Sequence, residues 1–391
     1  MPEAYIYDWV RTPRGKASPK GGLADVPAVE LLVTVQNALL NRTGMDPAAI
    51  DDTIIGVASQ VDEQGADLAR TANLTAGWGH GVPGVTLNRF CSSGLEAVAT
   101  AAAKLRCGDD GLVVAGGVES VSRVPIFSDR GSLWIDPRTV REVGSVHMGI
   151  AADLNATIEG FERAELDAYA VRTHVRAHTA WEDGVFDRSV IPAGRLERDE
   201  LIRPDISLEA LADLPPAFEQ VGADGQDALV LSKHPDVGSV RHLHTVGTSP
   251  QMADGAAVLL MGSGTDLRPR GRIVAVATCA VDPVIMLTAG QEAVERVIAR
   301  AGLEVPDIDV FEFAEAFSAL CLRFERDMGV ASDRMNPYGG TMAMGHAFGA
   351  TGAIMVGGCL DALERRDGRY GVAAVSAAAG MGVAALIERL P

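Results

Sequence analysis

The sequence predicts an α/β protein made of two duplicated halves, with mostly parallel sheets covered by helices and a long excursion carried by the first half. Three observations predict it. An amphipathic helix over 28–43, the turn GMDPAAIDD and the strand TIIGVAS reappear as a helix over 290–301, the turn GLEVPDID and the strand VFEFAEA. Each set continues through a polar loop and a helix to an abrupt glycine-containing turn, then an Ala/Gly-rich helix that ends at GLVVAGG (111–117) or YGVAAVS (370–376). The strands are nearly continuous apolar runs, which suits strands buried on both faces. A duplication is the economical explanation.

The elements follow in order. Residues 120–245 are rich in charge and proline, with helical periodicity over 162–183 and weak strand signals. They form the excursion. The chain returns through the apolar strand ADGAAVLLMGSG (253–264), and RPRGR (268–272) marks the passage into the second half. The expected division is therefore 1–119 with 246–268 as one half, 120–245 as a loop domain, and 269–391 as the other half.

Composition narrows the function. Hydrophobic residues make up 47% of the 391, enough for a large core, while only 5% are aromatic and 43 are glycine. Close approach of small-residue helices and strands is the expected packing. A formal charge of −18 excludes a general nucleic-acid binder and disfavours an anionic membrane surface. A phosphorylated ligand then requires a local basic patch. The five cysteines are scattered and lack Cys-x-x-Cys spacing, which reads as reduced thiols of a cytoplasmic protein with no zinc framework. The uncharged stretches within 335–360 and 371–387 are broken by glycines and read as buried core, not membrane spans.

Three segments carry candidate chemistry. Cys91 stands where a strand-like run passes into a small-residue helix, so free N–H groups and the helix dipole favour its thiolate. A buried, inert cysteine remains the alternative at this point. His346, after Gly345, opens the corresponding helix of the second half, and a pseudo-twofold brings both helix starts to one crevice as nucleophile and base. A lone core histidine is the alternative there. The turn Ser376–Gly382 ends a strand in small residues whose bare N–H groups suit a developing oxyanion. His174 and His178, four apart, lack acidic partners and read as a solvated helix face.

Together RTPRGK (11–16), NRFCSSGLEAV (88–98), VVAGGVESVSRVP (113–125), ADGAAVLL (253–260), FAEAF (313–317), GGTMAMGHAFGATGA (339–353) and GMGVA (380–384) resemble the thiolase family, nearly end to end. The nearest flavour is the thiolase subunit of bacterial β-oxidation trifunctional complexes. The resemblance implies a duplicated βαβαβαββ core in five layers, αβαβα, with an inserted loop domain. It implies that Cys91 takes an acyl group from acyl-CoA and that His346 activates it, with the backbone of Cys91 and Gly380 holding the oxyanion. His147, Met148, Ser249 and Phe317 are then expected along the coenzyme A path. No metal or covalently bound cofactor is implied; coenzyme A is substrate. A homodimer or homotetramer is expected, with a multifunctional hydratase–dehydrogenase as a further partner.

The sequence also departs from that pattern. Ala314 stands where the family has Asn or His before Glu-Ala-Phe, and Ser376 stands where it has a second catalytic cysteine. Pro215 replaces a basic residue, Pro250 a coenzyme-contacting serine, and Ala347 the proline after the histidine. A hydroxyl is a poorer proton shuttle than a thiol near pKa ~8.5. The expectation is thus a thiolase-type acyltransferase working through an acyl-Cys91 in a ping-pong cycle. The alternative is a divergent relative with impaired thiolysis or condensation that binds acyl-CoA for another purpose. Glu315 is open between a structural role and contact with the site histidine.

Overall fold

The computed structural model describes residues 2–391. In the first half, β1 (Tyr5–Arg11) leads to α1 (Ala28–Thr43), β2 (Asp52–Gly56), α2 (Leu68–Thr75), β3 (Val85–Leu87), α3 (Ser93–Cys107) and β4 (Leu112–Glu119). The excursion contributes α4 (Met148–Glu159) and α5 (Arg163–Glu182) before β5 (Ala253–Gly262) rejoins the sheet. The second half runs β6 (Gly271–Ala280), α6 (Ala289–Ala301), β7 (Val310–Phe313), α7 (Ser318–Met328), α8 (Phe348–Arg365), β8 (Tyr370–Ala377) and β9 (Met381–Arg389).

The strands lie in the order β3-β2-β4-β5-β1-β6-β9-β8-β7. Read outward from the centre, β1, β5, β4 and β2 are matched by β6, β9, β8 and β7, so the repeat legible in sequence is a repeat in space. The halves join where Tyr5 and Ile6 of β1 face Arg272 and Gly271 of β6. The expectation of mostly parallel sheets is corrected. Among the described residues only β2/β3, β2/β4 and β7/β8 pair in parallel, and the other ladders are antiparallel. The reason is connectivity: β8 reaches β9 through the short turn at 378–380, which forces them antiparallel, whereas parallel neighbours need a helical crossover.

Five layers result. Helix α1 covers the outer face of β1 and β5, α6 covers β6 and β9, and α3 and α8 lie between the half-sheets, touching strands of both. The central helices approach closely because glycine stands at their crossing. A side chain at Gly94 would strike the carbonyl of Gly349, and one at Gly352 would strike the backbone of Leu95. That contact places the starts of α3 and α8, and therefore Cys91 and His346, side by side. Among the described residues, no helix is long and apolar enough to cross a membrane.

Candidate active site

Cys91 sits in a tight turn two residues ahead of α3. Asn88 Oδ1 accepts from the Phe90 N–H (2.7 Å), and Ser93 Oγ accepts from the Arg89 N–H (2.8 Å) while donating to the Phe90 carbonyl (2.6 Å). These bonds hold Phe90 at φ +49°, a left-handed conformation that costs a side-chain-bearing residue about 1–3 kcal/mol. Ser92 Oγ donates to the Val375 carbonyl (2.9 Å) of β8, tying the turn to the other half.

His346 is fixed by the first half in return. Its N–H donates to the Gln251 carbonyl (2.7 Å), and its carbonyl accepts from the Ala253 N–H (2.9 Å) at the start of β5. Gly345 precedes it at φ +102°, and a Cβ there would meet Leu201 and Ala253 at 2.6 and 2.7 Å. Only glycine fits. Imidazole Nδ1 lies 2.9 Å from Thr351 Oγ1, one and a half turns along α8.

Arg14, from the RTPRGK segment, lies behind the histidine. Its guanidinium donates to the Gly345 carbonyl (3.2 Å) and to Met344 Sδ (2.9 Å) and leans on Asp199. Burial, then the positive charge of Arg14, hold the His346 imidazole down to about 4. The thiol behaves oppositely. Burial pushes Cys91 up to about 12 and the Glu119 carboxylate adds to the rise, while the N–H groups of Cys91 and Ala378 oppose it without cancelling it. The expected helix-favoured thiolate is therefore overturned: desolvation outweighs the dipole, and the resting pair is neutral thiol and neutral imidazole.

Both groups open onto a cavity of ≈ 630 Å³, also lined by His147, Met148, Ser249, Phe317, Ala314 and Ser376. Of the anticipated site residues only Gly380 is absent from its wall. The N–H directed at the sulfur is that of Ala378, and Gly380, at φ +72°, instead packs against the Val281 carbonyl.

Ser376 faces the cavity but its hydroxyl is engaged elsewhere. It donates to the Leu287 carbonyl (2.7 Å) and accepts from the Gly290 N–H (3.0 Å), serving the start of α6. Ser249 likewise donates to the Thr245 carbonyl (2.7 Å). His147 caps α4 by accepting from the Gly149 N–H (3.1 Å), and its ring lies 5.4 Å from that of Phe218.

Glu315 is structural. It accepts from Tyr169 (2.9 Å), Thr173 (3.0 Å), Asn336 (3.1 Å) and the Met342 N–H (3.0 Å), clamping the 336–342 loop to α5. His174 is not on a solvated face: it is buried, with Nδ1 accepting from the Arg203 N–H (3.1 Å). Thr351, Arg14, Ala378, and Lys16 with Arg203 on the cavity wall are residues that sequence reasoning did not single out as site residues. All but Arg203 had a signal, their place in a quoted segment: Arg14 and Lys16 in RTPRGK, Thr351 in GGTMAMGHAFGATGA and Ala378 in the turn Ser376–Gly382.

Family models for the thiolase N-terminal and C-terminal domains match residues 4–225 and 267–389. The chain belongs to the thiolase family. It is 35% identical to a 3-ketoacyl-CoA thiolase of Escherichia coli O139:H28, over 100% of both chains, and 36% identical to a beta-ketoadipyl-CoA thiolase of Pseudomonas aeruginosa, over 99% of both. The crystal structure of the Bacillus anthracis acetyl-CoA acetyltransferase superposes with a TM-score of 0.85 at 32% identity, covering 100% of this chain and 99% of that one. Within this thiolase, the departures at Ala314, Ser376 and Pro250 all line the one cavity, whereas Pro215 does not. Cys91 and His346 are thus surrounded by three of the positions at which the sequence departs from the family pattern.

Proposed function

We propose that this thiolase is an acyl-CoA C-acyltransferase acting on acyl-CoA or 3-ketoacyl-CoA through an acyl-Cys91 intermediate. The observation that carries the reading is that Cys91 and His346, delivered by different halves, face one cavity whose wall includes exposed Lys16 and Arg203. Those cations are the local basic patch that a chain of charge −18 needs to hold the phosphates of coenzyme A. His147, Met148, Phe218 and Phe317 form the apolar wall along which the pantetheine arm descends to the sulfur.

In the first half-reaction His346 Nε2 takes the thiol proton as Cys91 sulfur attacks the thioester carbonyl, or C3 of a 3-ketoacyl-CoA. In this reading the N–H groups of Cys91 and Gly380 receive the developing oxyanion, while that of Ala378 is directed at the sulfur. Collapse breaks the carbon–sulfur bond to coenzyme A, or the C2–C3 bond, and the departing thiolate or carbanion takes the proton from His346. A second coenzyme A, or an acyl-CoA carbanion, then removes the acyl group. With the Ser376 hydroxyl committed to α6, His346 has no neighbouring thiol to share proton transfer. Carbon–carbon bond making and breaking is the slower half of this enzyme's chemistry. Loss of a general acid–base group typically costs about 10²–10⁴-fold.

The same reading takes the protein as a cytoplasmic homo-oligomer. Its five cysteines are all free, and β3 lies at an open sheet edge with Val85 exposed, where a second chain can add. The test is intact-mass analysis after incubation with acyl-CoAs, with Cys91→Ala as control. An acyl adduct missing from the control supports the reading. No adduct with any acyl-CoA ends it in favour of a binding role.

A further inference from the structure

Behind the apolar wall assigned to coenzyme A under the function proposed above, on which this inference rests, four titratable side chains touch in a row. They are Asp227, His242, Asp153 and His244. Asp153, on α4, is fully buried. Its Oδ1 accepts from His244 Nδ1 (2.8 Å), the His244 N–H (2.9 Å) and the Leu243 N–H (3.1 Å). Its Oδ2 lies 3.0 Å from His242 Nδ1. On the other side of that ring, His242 Nε2 lies 3.0 Å from Asp227 Oδ2, at the start of the helix Asp227–Lys233. The Ala319 N–H of α7 meets His244 Nε2 at 3.4 Å, so a neutral His244 carries its proton on Nδ1, toward Asp153.

His242 is held differently, because each of its ring nitrogens faces a carboxylate oxygen. A neutral imidazole has one N–H, and its second nitrogen would turn a lone pair on a carboxylate. Only the imidazolium donates to both. Those two carboxylates are the charged groups that meet the ring: neighbouring Arg241 turns away to Glu162 (2.8 Å), and His244 binds the other oxygen of Asp153. Burial opposes the charge, but the hydrogen bonds to Asp153 and Asp227, with their negative charges, hold His242 above the ordinary histidine value. Asp227 depends on the ring in return, since among the described residues its Oδ1 is buried without a partner. The fit is close: a Cβ on Gly222 would come within 2.6 Å of both His242 Cε1 and Asp227 Oδ1.

The groups around this cluster are those of the coenzyme wall. The His244 ring meets that of Phe317 edge-on at 5.3 Å, and the His244 carbonyl accepts from the Ala217 N–H (2.8 Å), next to Phe218. Gln226, next to Asp227, accepts through Oε1 from the His147 N–H (3.0 Å). His147, Phe218 and Phe317 all line the large cavity. We propose that His242, as an imidazolium clasped between Asp153 and Asp227, is a positioning residue that holds segment 217–227 over the coenzyme cavity, so that loss of its proton loosens the pantetheine wall and weakens coenzyme binding. The Asp227 contact is the one that gives. Asp153 is tied to His244 and two backbone N–H groups as well, whereas the Asp227 carboxylate has the ring alone.

The test is the dissociation constant of coenzyme A from the full-length protein, measured by titration calorimetry between pH 6.5 and 9. For the wild type, binding is expected to weaken about tenfold across a midpoint in this range, the scale of coupling between linked sites. Asp227→Asn keeps an acceptor for Nε2 but removes one charge, and it is expected to move the midpoint about one unit lower. A merely structural contact would not move it. His242→Gln has no proton to lose and is expected to bind weakly at every pH, with no midpoint. His147, on the cavity wall, is held below the ordinary histidine value by burial and does not titrate across this range. Wild-type binding that is constant with pH overturns the proposal. So does a midpoint that is the same in Asp227→Asn, a half-buried position that decides the matter even where His242→Gln does not fold. Failure of coenzyme A to bind any of the proteins at any pH is a different outcome, and it removes the coenzyme reading of the cavity along with this one.

Discussion

Thr351→Val tests how the histidine is held. Thr351 is buried beside His346, and valine keeps its shape, so the substitution removes the hydroxyl 2.9 Å from Nδ1 and little else. The proposed mechanism requires the Nδ1–H to donate to this hydroxyl, so that Nε2 keeps the lone pair that takes the thiol proton. Without it, the neutral ring either buries an unpaired Nδ1–H or moves the proton to Nε2, where the ring can no longer act as base. An unsatisfied buried donor costs about 1–3 kcal/mol. At 1.36 kcal/mol per tenfold, this slows acylation by roughly 5- to 150-fold. The assay is single-turnover formation of the acyl-Cys91 adduct, alongside denaturant unfolding to verify the fold. Thr351→Ser, which restores the oxygen, is expected to recover most of the rate. A Thr351→Val protein that acylates at the wild-type rate would refute the claim that this hydroxyl sets the tautomer.

Four further outcomes are expected. Ser376→Ala should leave acylation within about twofold and lower stability by about 1–2 kcal/mol, because its hydroxyl serves Gly290 and Leu287; a large loss of acylation with intact stability would assign it to the chemistry instead. The double variant Ala314→Asn with Ser376→Cys is expected to raise thiolysis about tenfold or more at some cost in stability, and an unchanged rate would mean that other positions limit turnover. Iodoacetamide should modify exposed Cys107 well before Cys91, whose rate should keep climbing above pH 9; a plateau near neutral pH would reveal a thiolate–imidazolium pair. Finally, His346 and His174 are both held down to about 4, His174 by burial and then by Arg203. Between about 6.5 and 4 the unfolded chain binds protons at these two positions that the folded chain refuses, a loss of stability on acidification opposed by Glu312, which burial and Glu315 push up to about 8. His174→Gln should therefore lose less stability than the wild type between pH 7 and 4.5, and an equal loss would contradict this.

Much of the architecture was legible because duplication writes itself twice. Helix 28–43 and its counterpart at 290–301 fall almost at their predicted bounds, as do the strands at 112–119 and 370–377. Apolar run length could not tell parallel from antiparallel strands, since both are buried on both faces here. The antiparallel pairing of β8 with β9 depends on where the chain turns, at Ala379, an alanine in a conformation usually left to glycine.

The sequence by itself determined the family, the paired halves, the nucleophile turn at Cys91 and the histidine that answers it. Each of these is a local pattern or a repeat of one. The tertiary structure decided what the polar atoms do: Ser376 serves a helix end, Glu315 clamps a loop, burial and then Arg14 hold down His346, and desolvation keeps Cys91 a thiol. These depend on which group each side chain meets across the central helices and on how much water is excluded there. Electrostatic energies follow from that distance and burial, which residue identity and spacing alone do not specify.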